Sequence, residues 1–227
     1  MSKKTCAAII VAAGNASRMG GIDKTVTPIG GVPMILRTVR ALAASERMDE
    51  IIIVTRPDLI EPIEKLCVGV GKPLTVVRGG NCRAASVLLG LEACHSELCA
   101  IHDGARPFVT TEVIEAAVSA GETFGGAAPA IALKDTVKRA RDGKVLETPD
   151  RASLFAVQTP QVFYTERISA AIREALEKGL PLTDDCSAAE AMGMEVHLTP
   201  GDEENMKITT PFDLVIGEAI LKRREQP

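Results

Sequence analysis

Short apolar runs alternate along the chain with longer stretches in which apolar residues recur every three or four positions. Residues 7–12 (AAIIVA) read as a buried strand, and 32–45 (VPMILRTVRALAAS) as a helix with Pro33 in its first turn. Residues 50–55 (EIIIVT) read as a second strand, Asp58 as the cap of a helix reaching about residue 68, and 73–77 (PLTVV) as a third strand. Then 82–95 reads as helical, 98–102 (LCAIH) as extended, and 110–120 as a helix capped by Thr110 or Thr111. Such alternation over about the first 130 residues calls for a parallel sheet covered on both faces.

From about residue 131 the rhythm changes. LKDTVKRARDGKVLETPD holds two charged, β-capable runs joined through Asp142-Gly143, a hairpin signal. It carries few large apolar residues, so it projects from the core, either as a solvated loop or as an arm gripping another subunit. Helices follow at about 164–178 and from Thr183 or Asp184 to Met192, then a strand at 194–198. A last helix runs from about Thr210, with Pro211 in its first turn. The expected fold is α/β: a mostly parallel, twisted, Rossmann-like sheet with helices on both faces. It forms one domain over 1–227, interrupted by a β-hairpin excursion at about 134–157.

Composition narrows the function. The chain has no Trp and one Tyr, so its core is aliphatic and it lacks stacking platforms for single-stranded nucleic acid. Net charge is −4 and the basic residues are scattered, unlike the basic stripe of a nucleic-acid binder. Six cysteines without a Cys-x-x-Cys pair read as reduced thiols. About seven apolar residues after Cys6, ended by Gly14, make neither a signal peptide nor a membrane span, and a cytoplasmic location is expected.

In parallel α/β sheets, ligands bind beyond the carboxyl ends of the strands, and the unusual residues cluster there. After the first strand, Gly14 permits close backbone approach, Ser17 adds a hydroxyl, and Arg18 and Lys24 add two charges suited to phosphate. A solvated loop is the alternative. After 73–77 come Gly79-Gly80, with Asn81 and Ser86 placed to read a base or to cap the next helix. After 98–102 comes HDGARP, where Asp103 meets a metal or a polyol hydroxyl, or pairs locally with Arg106, and His102 is structural. Arg151 and Lys207 matter only if the fold returns them to the same cleft. The three-glycine dinucleotide fingerprint is absent.

Taken in order, AAG-x3-RM with Lys24, GGxxRxxSV, HDxARP, DT-x-K, Asp150-Arg151 before QTPQ-x-F, TDD and N-x-KIT resemble one family from about residue 5 to 222. It is the 2-C-methyl-D-erythritol 4-phosphate cytidylyltransferases, which carry a nucleotidyltransferase fold. The resemblance implies cytidylyl transfer from CTP to a polyol phosphate by in-line attack, with Mg2+ held mainly by the CTP phosphates and no dedicated metal site. It implies that Arg18, Lys24, Arg151 and Lys207 are catalytic. Ala12, Ala13, Gly14, Arg18, Lys24, Gly80, Asn81, Ser86, Gly104 and Lys207 would bind CTP. Asp103, Arg106, Thr136, Arg151, Thr183 and Lys207 would bind the acceptor. It further implies a homodimer whose arms exchange, so that Thr136 and Arg151 serve the partner's site. Ala16 stands where the family has glycine, Asp23 and Thr25 flank Lys24 where it has Pro and Gln, and Asn81 replaces a common acidic residue. Two alternatives stay open: a ribitol-5-phosphate cytidylyltransferase, and a catalytically silent nucleotide-binding protein.

Overall fold

The computed structural model describes residues 3–14 and 26–225. In chain order the strands are β1 (Cys6–Ala12), β2 (Pro28–Ile29), β3 (Val32–Pro33), β4 (Glu50–Thr55), β5 (Leu74–Arg78) and β6 (Leu98–Asp103), then β7 (Gly126–Ala132), β8 (Arg139–Arg141), β9 (Lys144–Glu147), β10 (Phe155–Val157), β11 (Gln161–Tyr164) and β12 (His197–Pro200). The α-helices are α1 (Met34–Ala43), α2 (Ile60–Leu66), α3 (Arg83–Glu92), α4 (Thr111–Phe124), α5 (Thr165–Glu177), α6 (Asp185–Ala191) and α7 (Pro211–Arg224).

The main sheet runs β5-β4-β1-β6-β11-β7, with β10 and β12 also paired to β7. Pairs β1·β4, β1·β6, β4·β5 and β7·β12 are parallel. Strand β11 runs antiparallel to both β6 and β7, and β10 antiparallel to β7. The sheet is therefore mostly parallel, as the alternation of elements predicts.

Residue alternation along the strands sorts the core into two faces. Ala8, Ile10, Ile51 and Ile53 pack with α1 and α4 through Ile35, Val39, Leu42, Ile114 and Val118. Ala7, Ile9, Ile52 and Val54 pack with α3, α5 and α6 through Val87, Leu91, Ile168, Ile172 and Ala188. Each of the central isoleucines is fully buried, contributing about 1.5–3 kcal/mol of transfer free energy. Strands buried on both faces read as unbroken apolar runs, which is why β1, β4 and β6 stand out in the sequence. A Cβ at Gly90 would come within 2.7 Å of Ile9 and Val54, so glycine lets α3 lie close on the sheet.

Several helix ends follow the sequence signals. Thr110 caps α4, which runs past the expected 120 to Phe124 and stops at Gly125 with φ +93°. Asp184 and Thr210 form capping boxes with Ser187 and Asp213, and Pro211 opens α7. Others differ. Pro33 lies just before α1, because Val32-Pro33 pairs with Pro28-Ile29. Asp58 does not cap α2; it sits in a short 3-10 turn and binds Arg56 instead, at 3.1 Å. The last strand is 197–200 rather than 194–198. The projecting hairpin is β8–β9, turned by Asp142 (φ 50°) and Gly143 (φ 76°), the paired positive φ values of a type I′ turn. It is exposed along its length, and the chain rejoins the main sheet at Phe155, inside the span expected for the excursion.

Candidate active site

The carboxyl ends of β1, β4, β5 and β6 open on a cleft of about 620 Å3. Ala12, Ala13, Gly14, Gly80, Asn81, Ser86, Asp103, Gly104 and Lys207, expected to act together, all line it. Parallel pairing explains the convergence: the register sets Val11 beside Asp103 and Ala12 beside Thr55, so three loops leave the sheet at one level. A Cβ at Gly14 would meet nothing within 4 Å, leaving that backbone open to a ligand. At Gly79 it would fall 2.3 Å from the Ala13 Cβ, and at Gly80 2.7 Å from the Ala85 Cβ. Those two glycines are thus required by the chain's own packing as well.

The hydroxyl of Ser86 accepts the Gly80 N–H at 3.1 Å and donates to the Cys82 carbonyl at 2.9 Å, tying the Gly79–Cys82 loop to α3. The cap of α3 is neither Asn81 nor Ser86 but Cys82, whose Sγ accepts the Ala85 N–H at 3.4 Å.

Asp103 is the electrostatic centre. It is buried, yet three cations reach it: Lys207 Nζ at 2.8 Å, Arg106 Nε at 3.5 Å and Arg83 Nε at 3.6 Å. Burial works against its ionisation, but Lys207, Arg83 and Arg106 overcome that and hold its pKa at about 2. Lys207 arrives from 104 positions along the chain because the Ile208 N–H donates to the Ala105 carbonyl at 2.8 Å. Behind it, Arg106 Nη1 donates to the Asn205 carbonyl at 2.6 Å, and Asn205 Nδ2 donates to the Thr159 carbonyl at 2.9 Å. Arg106 therefore braces the Lys207 loop and does not itself line the cleft.

His102 is fully buried, and burial lowers its pKa to about 4. Its Nε2 faces the Arg106 carbonyl at 3.1 Å, so that nitrogen carries the proton, and Nδ1 accepts from the Thr159 hydroxyl at 2.9 Å. The Thr159 oxygen in turn accepts the Asp103 N–H at 3.1 Å. His102 is a neutral structural strut, in line with its place in the strand.

Arg83 received no individual role from sequence, although it sits in the GGxxRxxSV motif. It lines the cleft and holds Asp185 with two bonds of 2.9 and 2.7 Å while facing Asp103. Burial works against its charge, but Asp185 and Asp103 more than offset it, and its pKa lies above the ordinary value. Gln161 completes the brace: its Oε1 accepts the Asp185 and Cys186 N–H groups and its Nε2 donates to Asp184. The QTPQ and TDD motifs are thus mutually hydrogen-bonded. Thr183 stands at that helix start, next to the brace rather than in the cleft. Thr136 and Arg151 are exposed on the excursion, with Arg151 Nη1 donating to the Lys134 carbonyl at 2.8 Å, and neither lines this chain's cleft. Arg18, Lys24, Ala16 and Asp23 lie outside the described residues.

Among the described residues lining the cleft, Asp103 is the only carboxylate. A hard divalent cation needs several oxygen ligands, so the phosphates of a bound nucleotide would have to supply most of them. Among the described residues no helix is long and apolar enough to cross a membrane.

A family model described as 2-C-methyl-D-erythritol 4-phosphate cytidylyltransferase matches residues 6–223. A protein of that name from Caldanaerobacter subterraneus subsp. tengcongensis is 43% identical, covering 95% of this chain and 98% of the relative. One from Geobacillus kaustophilus is 41% identical over 96% and 97%. Among solved structures, 4-diphosphocytidyl-2C-methyl-D-erythritol synthase from Anaerococcus prevotii superposes with a TM-score of 0.88 at 31% identity, covering 98% of this chain and 100% of its own. The 2-C-methyl-D-erythritol 4-phosphate cytidylyltransferase of Thermus thermophilus gives 0.79 at 29%, covering 94% and 98%.

Proposed function

The chain belongs to the 2-C-methyl-D-erythritol 4-phosphate cytidylyltransferase family, and on that footing we propose that it transfers the cytidylyl group of CTP to 2-C-methyl-D-erythritol 4-phosphate. The products are 4-diphosphocytidyl-2-C-methyl-D-erythritol, a precursor in non-mevalonate isoprenoid synthesis, and pyrophosphate. The observation that carries this reading is the convergence of Ala12–Gly14, Gly80-Asn81, Asp103-Gly104 and Lys207 on one cleft from four separate segments.

The acceptor's phosphate oxygen attacks the α-phosphorus of CTP in line with the departing pyrophosphate, and negative charge grows on the α-phosphate oxygens. Catalysis is positioning and charge stabilisation, with no covalent enzyme intermediate. Lys207, held by Asp103, contributes a fixed ammonium between the two substrates' phosphates. Because Asp103 stays ionised, it holds the Lys207 side chain in place before the substrates arrive. Arg18 and Lys24 are assigned to the triphosphate and to the charge that develops in the transition state. Asn81, with the backbone of Gly80 and the loop that Ser86 shapes, faces cytosine, while Asp103 and Gly104 lie by the ribose and acceptor. Mg2+, held chiefly by the CTP phosphates, would neutralise the leaving group.

The excursion at about 134–157 is assigned as a dimer arm, so that Thr136 and Arg151 reach the acceptor pocket of the partner subunit, with Arg106 and Thr183 bounding that pocket. The exposed Val145, Leu146, Phe155 and Val157 on this segment support that assignment, since an arm that stayed in solvent gains nothing from them. The test is pyrophosphate release from CTP that requires 2-C-methyl-D-erythritol 4-phosphate, with the cytidylylated product identified by mass. Binding of CTP without turnover on any polyol phosphate would establish the silent nucleotide-binding alternative instead.

A further inference from the structure

The loop that carries Lys207 is fastened from within by one side chain. Asp202 and Asn205 close a turn, the Asn205 N–H donating to the Asp202 carbonyl at 3.0 Å. Gln158, 4% exposed, bonds both ends of that turn. Its Nε2 donates to the Asp202 carbonyl at 2.7 Å, and its Oε1 accepts the Asp202 N–H and the Asn205 Nδ2 hydrogen, each at 3.2 Å. A Cβ at Gly201 would fall 2.8 Å from that Oε1, so glycine is what admits the amide. Among the described residues outside the turn, no other side chain bonds both Asp202 and Asn205. The remaining ties are weaker or hold one point only. The Lys134–Glu203 pair, with side chains 72% and 63% exposed, contributes little. Glu204 reaches outward to Arg223 and Arg224 of α7, Arg106 holds the Asn205 carbonyl, and the Ile208 N–H holds the Ala105 carbonyl beyond the lysine. Among the described residues the Lys207 ammonium bonds Asp103 alone, at 2.8 Å, so its place depends on where its backbone is held. Gln158 does not line the cleft.

We infer that Gln158 is a positioning residue: its amide holds the 202–205 turn so that Lys207 meets Asp103 in the cleft. The part Lys207 plays in cytidylyl transfer rests on the reading above; its placement by Gln158 does not. Methionine would fill the same space, but would leave the Asp202 N–H, the Asp202 carbonyl and an Asn205 hydrogen short of a partner, and the turn would shift to find others. Lys207 lies two residues further on, and a small displacement of a positioned charge lowers turnover. Gln158 also directly follows β10, the strand by which the excursion rejoins the sheet, so the root of the excursion and Lys207 share this side chain.

The experiment compares wild type, Gln158→Met, Gln158→Asn, Lys207→Ala, and each Gln158 variant combined with Lys207→Ala. It reads the Asp103 carboxyl titration by carbon NMR without nucleotide, and kcat with CTP and 2-C-methyl-D-erythritol 4-phosphate, each below the protein's melting temperature. Gln158→Asn keeps the amide but withdraws it by one methylene, so it carries the measurement if Gln158→Met does not fold. Lys207 is one of the three cations that hold the Asp103 pKa at about 2, so displacing the lysine raises the midpoint. Each Gln158 variant should titrate between wild type and Lys207→Ala, and each combined variant as Lys207→Ala does. The kcat of the single Gln158 variants should fall about ten- to hundredfold. A Gln158 variant that keeps the wild-type midpoint, whether or not it melts lower, overturns the inference. So does a combined variant whose midpoint lies above that of Lys207→Ala, because Gln158 then acts on Asp103 without the lysine. Shifted midpoints with kcat unchanged, or in a protein that does not turn over CTP, uphold the placement and reject the catalytic reading of Lys207.

Discussion

Replacing Arg83 with methionine should unfasten the brace behind the cleft, with a cost that depends on pH. Arg83 holds Asp185 through two hydrogen bonds of 2.9 and 2.7 Å, and the Asp185 side chain is only 2% exposed. Removing one member of a buried ion pair strands the other charge, which costs about 3–5 kcal/mol. Arg83 itself keeps 31% side-chain exposure, so water can partly repair the loss, and the lower end, about 3 kcal/mol, applies. Burial already pushes the Asp185 carboxyl above its ordinary pKa, with Arg83 opposing. Without Arg83 it rises further. A group whose folded pKa is raised contributes stability below its unfolded pKa and loses it as pH rises through the folded one. The deficit of Arg83→Met should therefore be largest near neutrality and shrink as the carboxyl protonates. Urea unfolding at pH 7 and at pH 4.5 measures this, and Arg83→Met with Asp185→Asn should recover most of the loss. A deficit below about 1 kcal/mol at pH 7, or one insensitive to both pH and the second substitution, would refute the reasoning.

Three further outcomes follow from the site. The Asp103 carboxyl should titrate near pH 2 by carbon NMR, and stability worth roughly 2 kcal/mol should be present above pH 4 and disappear as pH falls toward 2; a midpoint near 4 would contradict the three-cation environment. Arg18→Ala or Lys24→Ala should lower turnover at least about tenfold, ~1.4 kcal/mol or more of transition-state stabilisation, and near-wild-type rates would remove those roles. If arms exchange, Lys207→Ala and Arg151→Ala proteins, each inactive alone, should regain about a quarter of wild-type activity when unfolded and refolded together, because half the dimers then hold one intact site. No regain would place Arg151 in its own subunit's site or outside any site.

How far the sequence discloses this molecule depends on where each element lies. Strands β1, β4 and β6 are legible because residues such as Ile9, Ile10, Ile52 and Ile53 are buried from both sides, so the runs have no polar break. Strand β7 (GAAPAIA) is hidden by its small residues, the first of which has no room for a side chain: a Cβ at Gly126 would meet the Glu195 carbonyl at 2.7 Å. Strands β10 and β11 are hidden by the polar Gln158, Thr159 and Gln161, which are buried and bonded to the Asp202 carbonyl, to Asp103 and His102, and to Asp184 rather than facing solvent. That β11 inserts between β6 and β7 is a non-local fact with no local pattern. Caps at Thr110, Asp184 and Thr210 are local chemistry and were readable; Asp58 misleads because Arg56, two residues away, captures it.

The site shows the same division. Glycines and charges at strand ends marked the cleft, but the approach of Lys207 to Asp103 depends on the Ile208–Ala105 hydrogen bond, which spacing cannot reveal. Arg83 stood inside a quoted motif, yet its partner Asp185 lies 102 residues away. The hairpin's Asp142-Gly143 turn was plain, whereas no local pattern gives the reason for its exposure.

The most direct measurement is pyrophosphate release with CTP, UTP, ATP and GTP, each offered 2-C-methyl-D-erythritol 4-phosphate and ribitol 5-phosphate. CTP with 2-C-methyl-D-erythritol 4-phosphate should give the highest kcat/KM, with little release on ribitol 5-phosphate. A preference for ribitol 5-phosphate, or for a nucleotide other than CTP, would contradict it.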